Sequence, residues 1–288
     1  MAIKIITDSS CDLSAEYIKE NNIELLSLVL NINEQTIKDD LGTSLSYKDF
    51  YSQMREGATP TTSQVNAHEF EVEFIKHVEN GDSIIYIGIS SSLSGTYNSA
   101  NIARNNVLDE YPDADITLID SLSVSLGQGL LVCKACEMRD AGLSKDEIVR
   151  WLEENKTKVI HSIVVDDLNH LKRGGRISGA TAVIGGLLNI KPALCLDNEG
   201  KLVNVDKIKG KKKALRYIVN EIKNKAINVE NETLFICHGD CLEEAESLRD
   251  MVLEEVKFKN IVIGYVGNVV GAHGGPGILA AVFLGNNR

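Results

Sequence analysis

The feature that most restricts the fold is a repeated order of apolar stretch, polar loop and amphipathic stretch. Residues 3–7 predict a buried strand and residues 14–21 a helix, and residues 83–89 and 96–108 repeat that order. A third apolar stretch covers residues 116–119. Such alternation predicts a parallel sheet flanked by helices. In open sheets of this type, ligands bind beyond the carboxyl ends of the strands.

The second half of the chain predicts a different sheet. Strands are expected at residues 161–165, 192–196, 202–208, 234–237 and 261–266, with helices at 212–224 and 242–255. The turn at residues 197–200 joins two neighbouring strands as a hairpin, which makes this sheet partly antiparallel.

A helix over residues 145–156 marks the expected domain boundary. It begins with Ser144 followed by Glu147, the spacing of a capping box. We therefore expect an N-terminal α/β domain, residues 1–157, with a parallel sheet flanked by helices. An α+β domain with a mixed or antiparallel sheet should follow at residues 158–288.

Composition limits the possible partners. The 288 residues are 43% hydrophobic and carry a formal net charge of −11, which argues against a general nucleic-acid binder. A basic cluster remains, which is either a solvated helix start or a docking patch: Lys207, Lys209, Lys211, Lys212, Lys213 and Arg216. The start of the chain lacks a leader pattern and no apolar segment has spanning length, so we expect a cytoplasmic protein.

The six cysteines predict no metal or redox centre. Cys133 and Cys136 form a C-x-x-C inside a helical pattern, and zinc would require two further ligands at sensible spacing. Reduced, partly buried thiols are the expectation.

Three loops rich in hydroxyls or glycines predict an anion pocket: residues 59–64, 90–97 and 271–277. In the second, Ser94 and Gly95 precede a helix whose free amides attract negative charge, although Ser94 could simply cap that helix. In the third, we expect His273 to contact a ligand from a glycine loop, before a helix over residues 278–284.

A fourth segment combines charge with apolar surface. Arg173 and Arg176 lie in a glycine turn suited to phosphate or carboxylate recognition, or to an interdomain ion pair. The apolar helix predicted at residues 180–190 is either core or a ligand wall, and Gly185 and Gly186 favour the wall.

These residues resemble the DegV family, the fatty acid-binding subunits of the bacterial fatty acid kinase system. The resemblance covers the whole chain, through Asp120 and the segments TDSSCDL (7–13), TSQ (62–64), LSGTY (93–97), LKRGGRIS (171–178), KP (191–192) and GAHGGPG (271–277). It implies a non-catalytic protein without a cofactor, which holds one long-chain fatty acid in a tunnel between two domains. A separate ATP-dependent kinase would convert the carboxylate to an acyl-phosphate for phospholipid synthesis, with transient contact to a membrane surface.

The resemblance also implies roles for particular residues. The carboxylate would be bound by Thr62, Ser63, Ser94, Gly95, His273 and Gly274. The acyl tunnel would be lined by Val183, Leu187, Leu188 and Ile190, and Arg173 would dock the kinase, with Arg176 as its companion. Val65 and Asn66 depart from the family pattern, in which proline commonly follows the glutamine, so closure of that loop could differ.

Two other classes of protein compete with this interpretation. One is an enzyme that clamps a phosphorylated substrate with Arg173 and Arg176, although the chain lacks both G-x-G-x-x-G after its first strand and a P-loop. The other is a lipid sensor that regulates a partner through residues 207–216.

Overall fold

The computed structural model describes residues 2–177 and 189–288. Within them the strands are β1 (Ile3–Asp8), β2 (Glu24–Leu26), β3 (Val29–Ile32), β4 (Gln35–Lys38), β5 (Thr61–Ser63), β6 (Ser83–Gly88), β7 (Ile116–Asp120), β8 (Val159–Val164), β9 (Ile190–Leu196), β10 (Leu202–Lys209), β11 (Thr233–His238), β12 (Asn260–Tyr265) and β13 (Leu279–Leu284). The helices are α1 (Ala15–Glu20), α2 (Tyr47–Arg55), α3 (Ala67–Glu79), α4 (Thr96–Glu110), α5 (Leu126–Asp140), α6 (Lys145–Asn155), α7 (Asn169–Arg173), α8 (Lys211–Lys225), α9 (Leu242–Leu253) and α10 (Asn268–Gly274).

The first sheet is parallel, as predicted, with strand order β2-β1-β6-β7. Both of its faces are covered by helices, so its strands are apolar on both sides. Ile6 packs with Phe70 of α3 on one face, whereas Ile5 packs with Leu130 of α5 on the other. The predicted capping box of α6 is present, with Ser144 and Glu147 satisfying each other's backbone amides.

The second sheet is mixed and has strand order β10-β9-β8-β13-β11-β12. The hairpin of β9 and β10 is antiparallel, as predicted, whereas β11 and β12 are parallel. Asp197 builds the hairpin turn, because its Oδ1 accepts hydrogen bonds from the amides of Glu199 and Lys201, both at 2.9 Å. The fold is therefore a parallel four-stranded sheet flanked by helices together with a second domain built on a mixed sheet.

Three local predictions were wrong. Residues 278–284 were expected to be helical, but β13 is a fully buried strand between β8 and β11. A short stretch that is apolar on every side has no period with which to separate a buried strand from a helix. The TSQ segment is also no simple loop, because Thr61–Ser63 forms β5 in a three-stranded sheet of order β4-β3-β5. His273 lies in helix α10, not in a flexible loop.

Asp8 fixes the carboxyl end of β1 to the loop that follows β6. Its fully buried carboxylate accepts hydrogen bonds from the amide of Ile89 at 3.0 Å and the hydroxyl of Tyr86 at 2.8 Å. It also accepts bonds from the amide of Ser10, at 3.2 Å, and from the Ser10 hydroxyl. Because Ile89 precedes the serine-rich loop, this hub sets where that loop begins.

Replacing Asp8 with Asn should destabilise the protein, since the amide group presents donors to groups that themselves donate. We expect a loss of about 2–4 kcal/mol in the free energy of unfolding, against about 1 kcal/mol for Tyr86→Phe, which removes a single bond. Urea unfolding of both variants measures the difference. Equal losses in the two variants would contradict the role of Asp8 as a hub.

Candidate functional site

The predicted loops meet at one narrow cavity of about 80 Å³ beside the second sheet. Its apolar walls come from many segments of the chain: Leu28, Ile89, Leu93, Val124, Ile163, Leu171, Leu194, Leu202, Val269, Val270 and Ile278. Four polar side chains share the cavity, namely Thr62, Ser94, Arg176 and His273. We call it the intersheet cavity. Its composition suits one small polar group together with the apolar atoms next to it, because about 80 Å³ is less than a whole extended ligand requires.

Thr62 and His273 are joined by a hydrogen bond of 2.8 Å between Oγ1 and Nε2. Helix α10 lies against β5, which brings together two residues that are far apart in sequence. Burial, and then the neighbouring charge of Arg176, lower the pKa of His273 from 6.5 to about 4. The imidazole is therefore neutral near pH 7. With its proton on Nε2, it donates to Thr62 and leaves the threonine hydroxyl able to donate to a ligand.

Ser94 occupies the turn that leads into α4. Its Oγ lies 2.9 Å from the Thr96 hydroxyl and accepts a hydrogen bond from the Thr96 amide at 3.3 Å. Ser94 therefore binds a backbone amide near the helix start and also lines the intersheet cavity. The N-cap residue itself is Gly95, which has no side chain to cap the helix.

Two glycines allow close packing around these polar groups. A Cβ on Gly95 would lie 2.1 Å from Oε1 of Gln64, and a Cβ on Gly174 would lie 2.1 Å from Nδ1 of His273. Gly174 thus requires glycine for steric reasons, because it meets the ring of His273, whereas Gly95 meets the end of the flexible Gln64 side chain, which can shift. Gly95 packs against the TSQ segment, and Gly174 allows α7 to approach the histidine.

Several predicted ligand residues lie in other places. The side chain of Ser63 is exposed, because neighbouring residues of a strand point to opposite faces and Thr62 takes the inner one. Gly274, in contrast, lines the cavity. Ile190 is half-buried at the start of β9, outside the set of residues that line the cavity. The predicted tunnel residues Val183, Leu187 and Leu188 lie outside the described residues.

The two arginines occupy different environments. Arg173 is exposed on α7, where it lies 2.9 Å from Nδ1 of His170. Arg176 lines the intersheet cavity and donates to the carbonyl oxygens of Leu93, at 3.1 Å, and Gly174, at 2.5 Å. This position suits carboxylate recognition, one of the roles that the sequence left open for Arg176, more than kinase docking, and it gives the cavity a cation.

Sequence reasoning missed the wall of the cavity. Ile163, Leu194 and Leu202 come from three strands of the second sheet, and Leu28 comes from the connection between β2 and β3. Apolar strand residues give no local signal that separates a cavity wall from ordinary core. By contrast, Gly174 and His273, which pack against each other, each belong to a motif that the sequence had singled out, at residues 171–178 and 271–277.

No helix in residues 2–177 or 189–288 is long and apolar enough to cross a membrane.

Taken with its fold, the cavity defines a class: an α/β protein with one parallel and one mixed main sheet, whose apolar pocket carries a small group of polar residues. The chain belongs to the DegV family, whose model, "Uncharacterised protein, DegV family COG1307", matches residues 2–286. This confirms the family predicted from the sequence motifs.

Similar proteins support the assignment. A DegV domain-containing protein of Clostridium perfringens is 47% identical over 284 residues, which cover 99% of this chain and 98% of that protein. DegV of Bacillus subtilis, described as a fatty acid binding protein, shares 32% identity and a TM-score of 0.82, covering 99% of this chain and 100% of its own. A DegV family protein from Thermus thermophilus, described by its fatty acid binding, has 29% identity, a TM-score of 0.89 and the same coverage.

Acid should destabilise the protein partly through His273. Its folded-state pKa of about 4 lies below the ordinary value of 6.5, so the unfolded chain binds more protons between these values. The free energy of unfolding should therefore fall as the pH is lowered from about 6.5 to about 4. Urea unfolding across this range should show a shallower fall for His273→Gln. His161, whose pKa burial lowers to about 3, is kept in both proteins and accounts for part of the remaining slope. Identical slopes would refute a neutral, buried His273.

Proposed function

We propose that this protein is a carrier that buries one long-chain fatty acid and presents the carboxylate to a separate ATP-dependent kinase. The observation that carries the proposal is the intersheet cavity, in which Thr62, Ser94, Arg176 and His273 share a space that otherwise has apolar walls. The descriptions of the Bacillus subtilis and Thermus thermophilus relatives as fatty acid binders support the same ligand.

The tail supplies most of the affinity. Burying an alkyl chain contributes about 0.8 kcal/mol per methylene group, so a long chain binds well through apolar area alone. The polar residues then have to place the head group. Apolar side chains that line the cavity, such as Leu93 and Leu194, would contact the tail, while the polar residues would bind the head group.

The head group is held by donors that leave it reactive. The hydroxyl groups of Thr62 and Ser94 can hydrogen-bond a carboxylate without transferring a proton to it, and the neutral imidazole of His273 acts behind Thr62 by donating to its hydroxyl oxygen. Arg176 adds a positive charge nearby, which favours the ionised form of the carboxyl group.

A carboxylate oxygen in this position can attack the γ-phosphorus of ATP, giving an acyl-phosphate and ADP. The kinase supplies the nucleotide site, and this chain supplies orientation. Of the other predicted ligands, Gly95 and Gly274 would contribute backbone, whereas Ser63 would have to act through its main chain.

Arg173 is our proposed docking residue for the kinase. It is exposed at the end of α7, three residues before Arg176 at the cavity, so a partner that contacts it comes close to the head group. Exposed lysines, namely Lys207, Lys209, Lys212 and Lys213, suit a transient contact with an anionic membrane surface. We therefore propose that the acyl-phosphate is delivered near a membrane surface.

Replacing Ser94 with Ala should impair phosphorylation more than tail binding. We expect kcat/KM for acyl-phosphate formation to fall about tenfold or more, because one head-group donor is lost. Fatty acid affinity should change less than about threefold, because the apolar contacts remain. Trapping acyl-phosphate as a hydroxamate measures the first quantity, and equilibrium binding of a labelled fatty acid measures the second.

Ser92→Ala is the control, since Ser92 lies in the same loop but donates to the carbonyl of Glu199. Equal losses of both quantities in Ser94→Ala would count against the proposed role of Ser94.

Replacing Arg173 with Ala should weaken the encounter with the kinase alone. We expect KM for the loaded carrier to rise about tenfold while fatty acid affinity is unchanged, because Arg173 lies on the surface. Lys172→Ala, which removes a neighbouring exposed cation, should have a much smaller effect. If Lys172→Ala and Arg173→Ala raised KM equally, the docking site would be a diffuse charge effect, and the specific role of Arg173 would be rejected.

A further inference from the structure

A histidine and three carboxylates converge at the edge of the first sheet. Glu24 lies on the edge strand β2, and Glu73 and His77 lie four residues apart on one face of α3. One ligand atom from each of these three residues lies within 4.8 Å of the other two. None of them lines the intersheet cavity, so the proposed carrier function leaves the cluster unexplained.

His77 is the buried member of the cluster, and its orientation is fixed. The side chain is only 7% exposed, and Nδ1 lies 3.1 Å from Oδ2 of Asp82 while Nε2 lies 3.3 Å from Oε2 of Glu24. Because Nε2 faces Oε2 of Glu24, a single cation placed between helix α3 and strand β2 would be bound by both atoms. Asp82 would then hold the Nδ1–H, as carboxylates do behind histidine ligands of zinc.

Lys76 already shows that a cation suits this position. Its ammonium group lies 3.2 Å from Oε2 of Glu24 and 2.8 Å from Oε2 of Glu73, on a side chain that is half exposed. Lys4, held by Asn22, stays beside Glu24. Without Lys76, the carboxylates of Glu24, Glu73 and Asp82 exceed the charge of Lys4 by two negative charges, which matches a divalent ion.

We propose that Glu24, Glu73 and His77 form a binding site for one divalent transition-metal ion of the zinc type, with water completing the coordination. Imidazole combined with carboxylate oxygens is a ligand set suited to Zn²⁺. Metal–ligand bonds of about 2.0–2.2 Å place tetrahedral ligands about 3.4 Å apart. Glu24 already lies 3.3 Å from Nε2 of His77, so the partly exposed Glu73 is the residue that has to close in, by at most about 1.4 Å. The ion would join the edge strand β2 to helix α3 and stabilise the fold.

The test measures Zn²⁺ binding to chelator-treated, full-length protein by competition with a chromophoric chelator. The wild type should bind one equivalent of Zn²⁺, and Glu24→Gln and Glu73→Gln should each weaken that binding about tenfold or more. Lys76→Gln should tighten it, because the competing ammonium is gone. His68→Ala is the matched control, since His68 is an exposed histidine on the same helix, and it should change nothing.

A second measurement separates this site from binding by cysteine thiols. Zn²⁺ should raise the unfolding temperature of the wild type and of His68→Ala but not that of Glu73→Gln. Absence of Zn²⁺ binding, or binding unaffected by both glutamine substitutions, would overturn the proposal. Weaker binding in Lys76→Gln would overturn it as well, since the cluster would then be an ion-pair network that requires its lysine.

Discussion

Helix α5 is the packing constraint on which the arrangement depends, because it lies between the two sheets and contacts strands of both. Its buried residues face more than one side, so it is an interior helix and not an amphipathic surface one. Gly127 and Gly129 allow its close approach: a Cβ on Gly127 would lie 2.0 Å from Nε2 of His161, and one on Gly129 would lie 2.8 Å from the carbonyl of Cys11. The spacing of the two sheets is set by these contacts, and Val124, just before the helix, lines the intersheet cavity.

The chemistry of the cavity follows from that spacing. Enclosure between the sheets desolvates His273, so the imidazole stays neutral and acts as a hydrogen-bond partner of Thr62. The same enclosure makes the charge of Arg176 more effective, because fewer water molecules screen it. Positive charge at one end of the cavity and hydrocarbon along its walls would favour an amphiphile over a compact polar metabolite, as the proposed function requires. A phosphorylated substrate clamped by two arginines fits less well, since Arg173 points to the surface while Arg176 faces the cavity.

Local patterns predicted the hairpin of β9 and β10 and the capping box of α6, because each depends on residues close in sequence. The parallel sheet, whose strands are far apart in sequence, followed instead from the alternation of strands and helices. The three-stranded sheet was missed because β3 pairs with Thr61–Ser63, a polar strand some thirty residues further along the chain. Strand β13 was mistaken for a helix because its apolar residues are buried on both faces. At the site, motifs singled out Thr62, Ser94 and His273, and the structure brings all three to one cavity. The outward direction of Ser63 and the inward direction of Arg176 depend on strand pairing and turn geometry, which no motif encodes.

The central claim concerns what the intersheet cavity holds, and the most direct measurement is the lipid that accompanies the purified protein. The protein is denatured and extracted with solvent, and the released lipids are quantified by mass spectrometry against an unrelated protein prepared identically. Our account predicts close to one fatty acid per chain. If the protein carried no lipid and also failed to take up added fatty acid, the carrier function would be contradicted.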